Sequence, residues 1–383
     1  MKIGILTQPL RNNYGGLLQN FALQHVLKGM GHQVETVDWL DEYSKYRIML
    51  ARAKNTLLSY IRKDVEKPRY KPTAAEAAVM ARNTRRFVER YIGVCPLHVS
   101  HQEDFRNVDG QYGYDAYVVG SDQVWRPGYN AFLSSMFLDF TAGRDDLKRV
   151  AYAASFGTSS WEFTPQMTEE CSQLAKRFDI ITVREESGVA LCREHLGVDA
   201  GLVLDPTMLL DRENYEQLVA DEKEPESPGT LFHYILDPSD GKRELIEQIA
   251  GLQGLQPFTV MPKCHAEKCT KQNVKHHIED CVFPPVTSWL RGFMDAEITV
   301  VDSFHGAVFS IIFNKPFWVI GNSKRGNARF ESLLGMLGLQ DRMVSLDCTS
   351  AAEWDKAIDW QRVNEIIGRE KEKSLALLRQ GLA

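Results

Sequence analysis

At 383 residues the chain is long enough for two domains with separate cores, and its 44% hydrophobic and 25% charged residues are ordinary globular values. No apolar run approaches the roughly 20 residues that a bilayer span needs, which excludes an integral helical membrane protein. A net charge of −6 without basic–aromatic interleaving excludes a nucleic-acid-binding surface. Seven cysteines at irregular spacing suit a reducing compartment better than a disulfide framework. The opening Met1–Leu6 runs into a strand pattern without a signal-peptide layout, so a cytoplasmic location is expected.

Lys2–Thr7 reads as the first strand, Asn12–Gly16 as a turn, Leu17–Met30 as a helix and Gln33–Val37 as the second strand. This βαβ opening has glycines in its first loop but no G-x-G-x-x-G fingerprint, so no dinucleotide cofactor is expected. Tyr43–Lys63 and Ala74–Tyr91 carry apolar stripes at helical spacing, parted by Pro68 and Pro72, and predict a helical insertion over about 42–92. Between Lys45 and Arg90 stand 13 Lys/Arg against 4 Asp/Glu. Solvated helix faces account for such a run; the sharper expectation is peripheral contact with anionic headgroups or with a lipid-diphosphate-linked acceptor.

Asp115–Gly120 is a strand that delivers Ser121-Asp122-Gln123-Val124-Trp125 to the sheet's carboxyl edge, where open α/β sheets collect ligands. Asp122 there either serves as a base or sugar partner, or caps its loop. Arg149–Ser155 and Ile180–Val183 are further strands, with a helix over Thr168–Arg177 between them. Arg184 follows the second of these and precedes the helix Ser187–His195. A guanidinium in that place forks a phosphate or carboxylate, or pairs with Glu185 or Asp205. Strand Leu202–Leu204 ends in Asp205-Pro206-Thr207, helix Asp211–Ala220 follows, and the polar stretch to Gly229 marks a junction. The first domain is therefore placed at 1–210 and the second at 225–350.

The second domain opens with strand Leu231–Leu236, helix Lys242–Leu252 and strand Phe258–Met261. Cys264, Cys269 and Cys281, with His265, His276 and His277, lack any C-x-x-C pair, so a variable loop is expected there and no metal site. Pro285–Phe293 enters a helix. Ile298–Val301 is a buried strand followed by Asp302 and Ser303, both helix-capping types, then His305-Gly306 and an apolar helix, Ala307–Phe313. Asn314 and Pro316 close that helix, and Phe317–Ile320 is the next strand. The capped N-terminus suits an anion, and His305 adds a group able to carry a proton. Lys324, Arg325 and Arg329 follow at the same edge, although Arg329 also begins helix Phe330–Leu337. Residues 351–383 hold a tail helix, Trp354–Leu382, expected to pack back across the hinge. Strands alternating with helices in both halves predict two doubly wound α/β domains facing a cleft.

DSFHG followed by NKPFWVIG resembles the C-terminal signature of the polysaccharide pyruvyltransferase family, and GSDQVW, VREESG, DPT and NNYGGLLQNFALQ agree with it along most of the chain. The resemblance implies two Rossmann-like domains of the GT-B kind. It also implies transfer of pyruvate, as a ketal, from phosphoenolpyruvate to hydroxyls of a saccharide in cell-surface polysaccharide biosynthesis. Phosphoenolpyruvate is then a donor substrate, no cofactor is needed, and the saccharide is free or lipid-linked. His305, Asp122 and Asp302 fall on the catalytic side of that expectation. Arg184, Ser303, Gly306, Lys315 and Arg325 fall on the donor side, all but Arg184 in the second domain, which is expected to be the donor half of the cleft, and Asn13, Gly15, Gln123 and Trp125 on the acceptor side, in the first. Two positions depart from the family pattern: Phe304 stands where many members have Arg, and Gly16 where many have Asp. A nucleotide-sugar glycosyltransferase on the same fold, and a non-catalytic saccharide- or lipid-carrier-binding protein, are the alternative readings.

Overall fold

The computed structural model describes residues 1–40, 70–264, 269–321, 326–346 and 356–383, and in it the short apolar runs become parallel strands. β1 (Lys2–Leu6), β2 (Gln33–Thr36), β3 (Ala116–Val119), β4 (Lys148–Ala154), β5 (Ile180–Val183) and β6 (Gly201–Leu202) form one sheet in the order β2-β1-β3-β4-β5-β6. β7 (Leu231–Tyr234), β8 (Pro257–Phe258), β9 (Ile298–Val301), β10 (Phe317–Ile320) and β11 (Met343–Val344) form the other, in the order β11-β10-β9-β7-β8. Strands of parallel sheets are buried on both faces, which is why they read as unbroken apolar runs. Side chains alternate accordingly. Ile3, Ile5, Ala116 and Val118 enter one core cluster, whereas Leu6, Tyr117 and Val119 enter another on the opposite face.

The first cluster does not stop at the first sheet. It continues through Phe232, Val301, Phe317 and Val319 of the second, so one face of each sheet meets in a common core. Chain order reverses beside β1 in one sheet and beside β7 in the other. Such reversals open crevices at the carboxyl edge, where helices leave in opposite directions.

The helices that shape this region are α1 (Tyr14–Gly29), α2 (Ala74–Met80), α3 (Arg82–Tyr91), α4 (Arg212–Glu222), α5 (Asp240–Gln253), α6 (Val286–Asp295), α7 (Phe304–Ile312), α8 (Ala328–Leu337) and α9 (Trp360–Leu382). Asn13 starts α1 three residues earlier than the apolar pattern predicts, because its side chain accepts from the Gly16 N–H at 3.2 Å. Tyr14 crosses to the second domain: its hydroxyl donates to the Pro284 carbonyl at 3.0 Å and its ring lies against Tyr234 and Trp289. α4 packs on α6, and α9 packs back on β4 and β5 of the first sheet. Gly381 of α9 approaches so closely that a Cβ there would lie 2.3 Å from Ile180.

The predicted helix Ala74–Tyr91 is two helices, α2 and α3, meeting at Ala81. Arg82 bonds Glu279, and Arg86 and Arg90 both bond Glu222, so three cations of the basic run face carboxylates of other elements. The part of the insertion between 41 and 69 lies outside the described residues. Helix Asp104–Tyr112 and the two-residue β11 were not foreseen. Among the described residues no helix is long and apolar enough to cross a membrane.

Candidate active site

Ser303 has the extended backbone of an N-cap (φ −120°, ψ 143°), and its hydroxyl accepts from the Gly306 N–H at 3.0 Å. That cap starts α7 at Phe304 and sets His305 in the first turn. Gly306 is needed there because a Cβ would lie 2.8 Å from Ser303 Oγ and 2.9 Å from Val301. His305 points at the first domain. A Cβ on Gly15, in the first turn of α1, would lie 2.2 Å from the imidazole, so only a glycine backbone fits against the ring. Two helix N-termini, one from each domain, therefore meet at His305, which is 7% exposed.

Behind the imidazole stands a buried charge network. Arg184, just beyond β5, donates from Nη1 to Asp205 Oδ2 at 2.7 Å and from Nη2 to Asp122 Oδ1 at 2.9 Å. Glu185 is not its hydrogen-bond partner, because the Glu185 carboxylate accepts from Ser155 Oγ (2.9 Å) and the Phe156 N–H (2.8 Å). Asp205 Oδ1 accepts from the Thr207 hydroxyl at 2.7 Å. Its Oδ2 is also reached by Ser121 Oγ (3.1 Å) and lies 3.6 Å from His305 Nε2. That last separation is a charge contact, too long for a hydrogen bond. Burial alone would raise both carboxyl pKa values. For Asp205 the opposing charges of His305 and Arg184, and for Asp122 those of Arg184, His305 and Arg329, outweigh it and hold both groups below the usual carboxylate range.

Phe304 takes part in this network through its ring. The Arg184 guanidinium lies 4.6 Å from the ring centroid and that of Arg329 lies 5.7 Å away, so the aromatic face sits between two buried cations. Arg329, at the start of α8, is 6% exposed, and burial together with its neighbour Arg184 pushes its pKa down to about 10. Among the described residues two buried donor positions at this junction, Arg184 Nε and His305 Nε2, have no hydrogen-bond partner. Buried polar atoms are nearly always paired, so such a pair marks a place for a ligand oxygen.

The other expected site residues are placed as follows. Asp302 accepts from the N–H groups of Leu236 (2.7 Å) and Asp237 (3.1 Å) and from Lys242 Nζ (2.7 Å), so both its oxygens are engaged in tying the loop after β7. Lys315 lies past the far end of the nine-residue α7, about 13 Å along the axis from its start. It stands at the amino edge of β10 with Asp295, Arg212 and Glu297 as its charged neighbours, away from His305. Trp125 is fully buried, donates to the Met136 carbonyl at 3.0 Å and stacks on Phe137, which leaves no face for a sugar. Gln123 is held by Gln8 and Arg126, and Asn13 is an exposed cap. Arg325 lies outside the described residues. Asp205 and Ser121 were not singled out as site residues, although both DPT and GSDQVW end strands at this same edge. Cys264, Cys269 and Cys281 pack around Val274, and among the described residues no group of His, Cys, Asp or Glu is arranged to hold a metal.

The sequence model for polysaccharide pyruvyl transferase matches residues 13–324. The chain belongs to the polysaccharide pyruvyl transferase family. The match takes in both helix N-termini and every member of the charge network except Arg329, and the family is one of transferases. A search of curated proteins returned no match. In fold the protein is similar to Arabidopsis thaliana UGT89C1 complexed with UDP-L-rhamnose, with a TM-score of 0.51 at 9% identity, covering 99% of this chain and 98% of that one. A UDP-GlcNAc 2-epimerase from Neisseria meningitidis bound to UDP-GlcNAc gives 0.48 at 11% identity, with 100% and 94% covered. A glycosyltransferase from Rickettsia africae gives 0.46 at 10%, with 100% and 97% covered. The architecture of this pyruvyl transferase family member is thus two parallel-sheet α/β domains of the GT-B kind.

Proposed function

We propose that the protein transfers a pyruvyl group from phosphoenolpyruvate to two hydroxyls of one saccharide unit, forming a ketal and releasing inorganic phosphate. The observation that carries this reading is His305: a buried imidazole with an unpartnered Nε2, beside the Asp205–Arg184–Asp122 network, in a chain of the pyruvyl transferase family.

The chemistry asks first for a proton on the methylene carbon of phosphoenolpyruvate, which leaves an electron-poor carbon bearing the carboxylate and the phosphate ester. An imidazolium at His305 is the acid, and Asp205, held ionised, stabilises it. A sugar hydroxyl then adds to that carbon and gives up its proton to the neutral imidazole. The C–O bond to phosphate breaks, and a second hydroxyl of the same sugar closes the ketal, its proton going to the departing phosphate. The Arg184 Nε–H and the N–H groups at the start of α7 stabilise the leaving oxygens. Arg184 serves as a fixed donor in this scheme, because two carboxylates already share its charge. Asp122 holds Arg184 in place, and the free acid–base duty falls on His305. The protein is further proposed to act in the cytoplasm on an acceptor that is free or lipid-linked.

The test follows phosphate release from phosphoenolpyruvate with a panel of saccharides carrying neighbouring or 4,6-hydroxyl pairs. Wild-type protein is expected to release phosphate with at least one of them. His305→Gln is expected to abolish release while keeping the circular-dichroism spectrum and melting profile. Near-wild-type turnover in that variant removes His305 from the mechanism.

A further inference from the structure

Tyr129 is 46% exposed, and among the described residues it is the only exposed tyrosine, phenylalanine or tryptophan. Single surface aromatics are ordinary, so exposure alone decides nothing. What sets Tyr129 apart is how firmly its turn is held. Pro127 opens the short turn Pro127–Tyr129, and the Tyr129 N–H donates to the Arg126 carbonyl at 3.0 Å. The buried Asn130 anchors the exit by donating to the Val124 carbonyl (2.8 Å) and accepting from the Phe132 N–H (3.0 Å). A ring presented on such a turn leaves little backbone to order when a ligand binds. Its neighbours are planar and polar. The Arg126 guanidinium lies 4.6 Å from the Tyr129 ring centroid. It donates from Nε and Nη2 to the two oxygens of Glu162, each at 3.2 Å, and from Nη1 to Gln123 Oε1 at 3.1 Å. This fork cancels the charge of Arg126, while Glu162, 35% exposed at its side chain, keeps lone pairs open to further donors.

Tyr129 also stands beside the candidate site. A Cβ on Gly326 of the second domain would lie 2.2 Å from the Gly157 carbonyl oxygen, so the loop before α8 closes on the first-domain segment that leads to Glu162. Three residues on, Arg329 has the Tyr129 hydroxyl among its charged neighbours, and its guanidinium lies 5.7 Å from the ring of Phe304, next in sequence to His305. The large aromatic rings nearby are already committed. Trp125 stacks on Phe137, and Trp161 stacks on Phe163 (4.2 Å) and on His195 (4.5 Å). Tyr129 is left to meet a ligand.

We infer that Tyr129, with Glu162 at its rim, is the platform on which an uncharged pyranose of the acceptor stacks, its hydroxyls turned toward His305. The inference rests on the pyruvyl-transfer reading. A pyranose suits this surface because its ring C–H groups form an apolar face, while the hydroxyls around it can donate to Glu162. Arg126 has no charge to spare and Glu162 opposes a carboxylate, which favours a neutral sugar over a uronic acid.

Saturation-transfer NMR of the full chain tests it, with methyl β-galactoside, β-glucoside, β-mannoside and β-glucuronide, and with uridine, each with and without phosphoenolpyruvate. Saturation is expected to reach the ring C–H protons of at least one neutral pyranoside, and to reach the glucuronide less. Tyr129→Ala is expected to weaken that pyranoside's binding about tenfold, as for loss of an aromatic anchor, and Tyr129→Trp to retain it. Glu162→Gln is expected to raise glucuronide binding relative to the glucoside. In phosphate release, Tyr129→Ala should raise the KM for the pyranoside, while the rise in melting temperature with phosphoenolpyruvate stays as in wild type. That split separates a platform from a residue that merely supports the fold. No neutral pyranoside bound, binding unchanged in Tyr129→Ala, or a ratio unmoved in Glu162→Gln overturns the inference. Uridine binding more tightly than every pyranoside overturns it too. A melting rise with phosphoenolpyruvate beside silent pyranosides sinks the platform alone. Tyr129-dependent pyranoside binding with no response to phosphoenolpyruvate sinks pyruvyl transfer and leaves a saccharide site.

Discussion

Gly15 has no side chain because the His305 ring occupies the space where one would stand. Gly15→Ala is therefore expected to push the imidazole off its position and lower phosphate release about a hundredfold, since a displacement near 1 Å costs that much in catalysis. The melting temperature should fall only modestly, as overpacking of one methyl costs about 1–3 kcal/mol. Activity within a few-fold of wild type would show that the ring is not fixed by this contact. Asp205 carries a second residue-level prediction. Asp205→Asn leaves the buried Arg184 short of a charge partner and is expected to cost about 3–5 kcal/mol in urea unfolding. Asp205 and Asp122 have folded-state pKa values below the unfolded value of about 3.9. Their stabilisation is thus fully present above about pH 4 and is lost as the pH falls toward the folded-state values. Unfolding curves at pH 7, 4 and 3 should show a steeper acid loss in wild type than in Asp205→Asn, and parallel losses would contradict the network. Of this network the sequence shows Arg184 at a strand end, with Asp205 as one of its two candidate partners. It does not show that Asp122, 62 residues earlier, completes the fork, because only the order of the strands brings β3, β5 and β6 to one edge.

At the scale of elements, α7 depends on its cap. Ser303→Ala removes the acceptor for the Gly306 N–H and is expected to cost about 1 kcal/mol of stability. Because that turn carries His305, the same variant should lose turnover beyond what its stability loss explains, read as kcat at a temperature well below melting. Unchanged kcat would make the cap a purely structural device. Elements defined by tertiary burial were legible: β5, β9 and β10 have the predicted bounds, as short apolar runs closed by polar residues. Helix starts were legible at Ala74 and at the Ser303 cap, but the apolar pattern alone places the starts of α1 and α7 three residues late. Functional placement failed where the edge of the sheet was misjudged. Lys315 follows α7 and therefore sits at the amino edge, although it lies only ten residues from His305. Trp125 leaves a strand at the carboxyl edge yet turns into the core. Asp302 has the right edge and the wrong duty, because pairing with Lys242 is invisible without the fold.

Across the whole molecule the two domains share a core, joined by Tyr14 from one side and by α9 returning to β4 and β5 from the other. The candidate site is built from both domains: Gly15, Asp122, Arg184 and Asp205 come from the first, His305 and Phe304 from the second. A ligand at their junction therefore binds the folded molecule alone and raises its apparent stability by mass action. The most direct measurement is a thermal-shift titration of the full chain with phosphoenolpyruvate, beside UDP, GDP and CMP. Pyruvyl transfer predicts a concentration-dependent rise with phosphoenolpyruvate that is lost in His305→Gln. A rise with a nucleotide and none with phosphoenolpyruvate would contradict it.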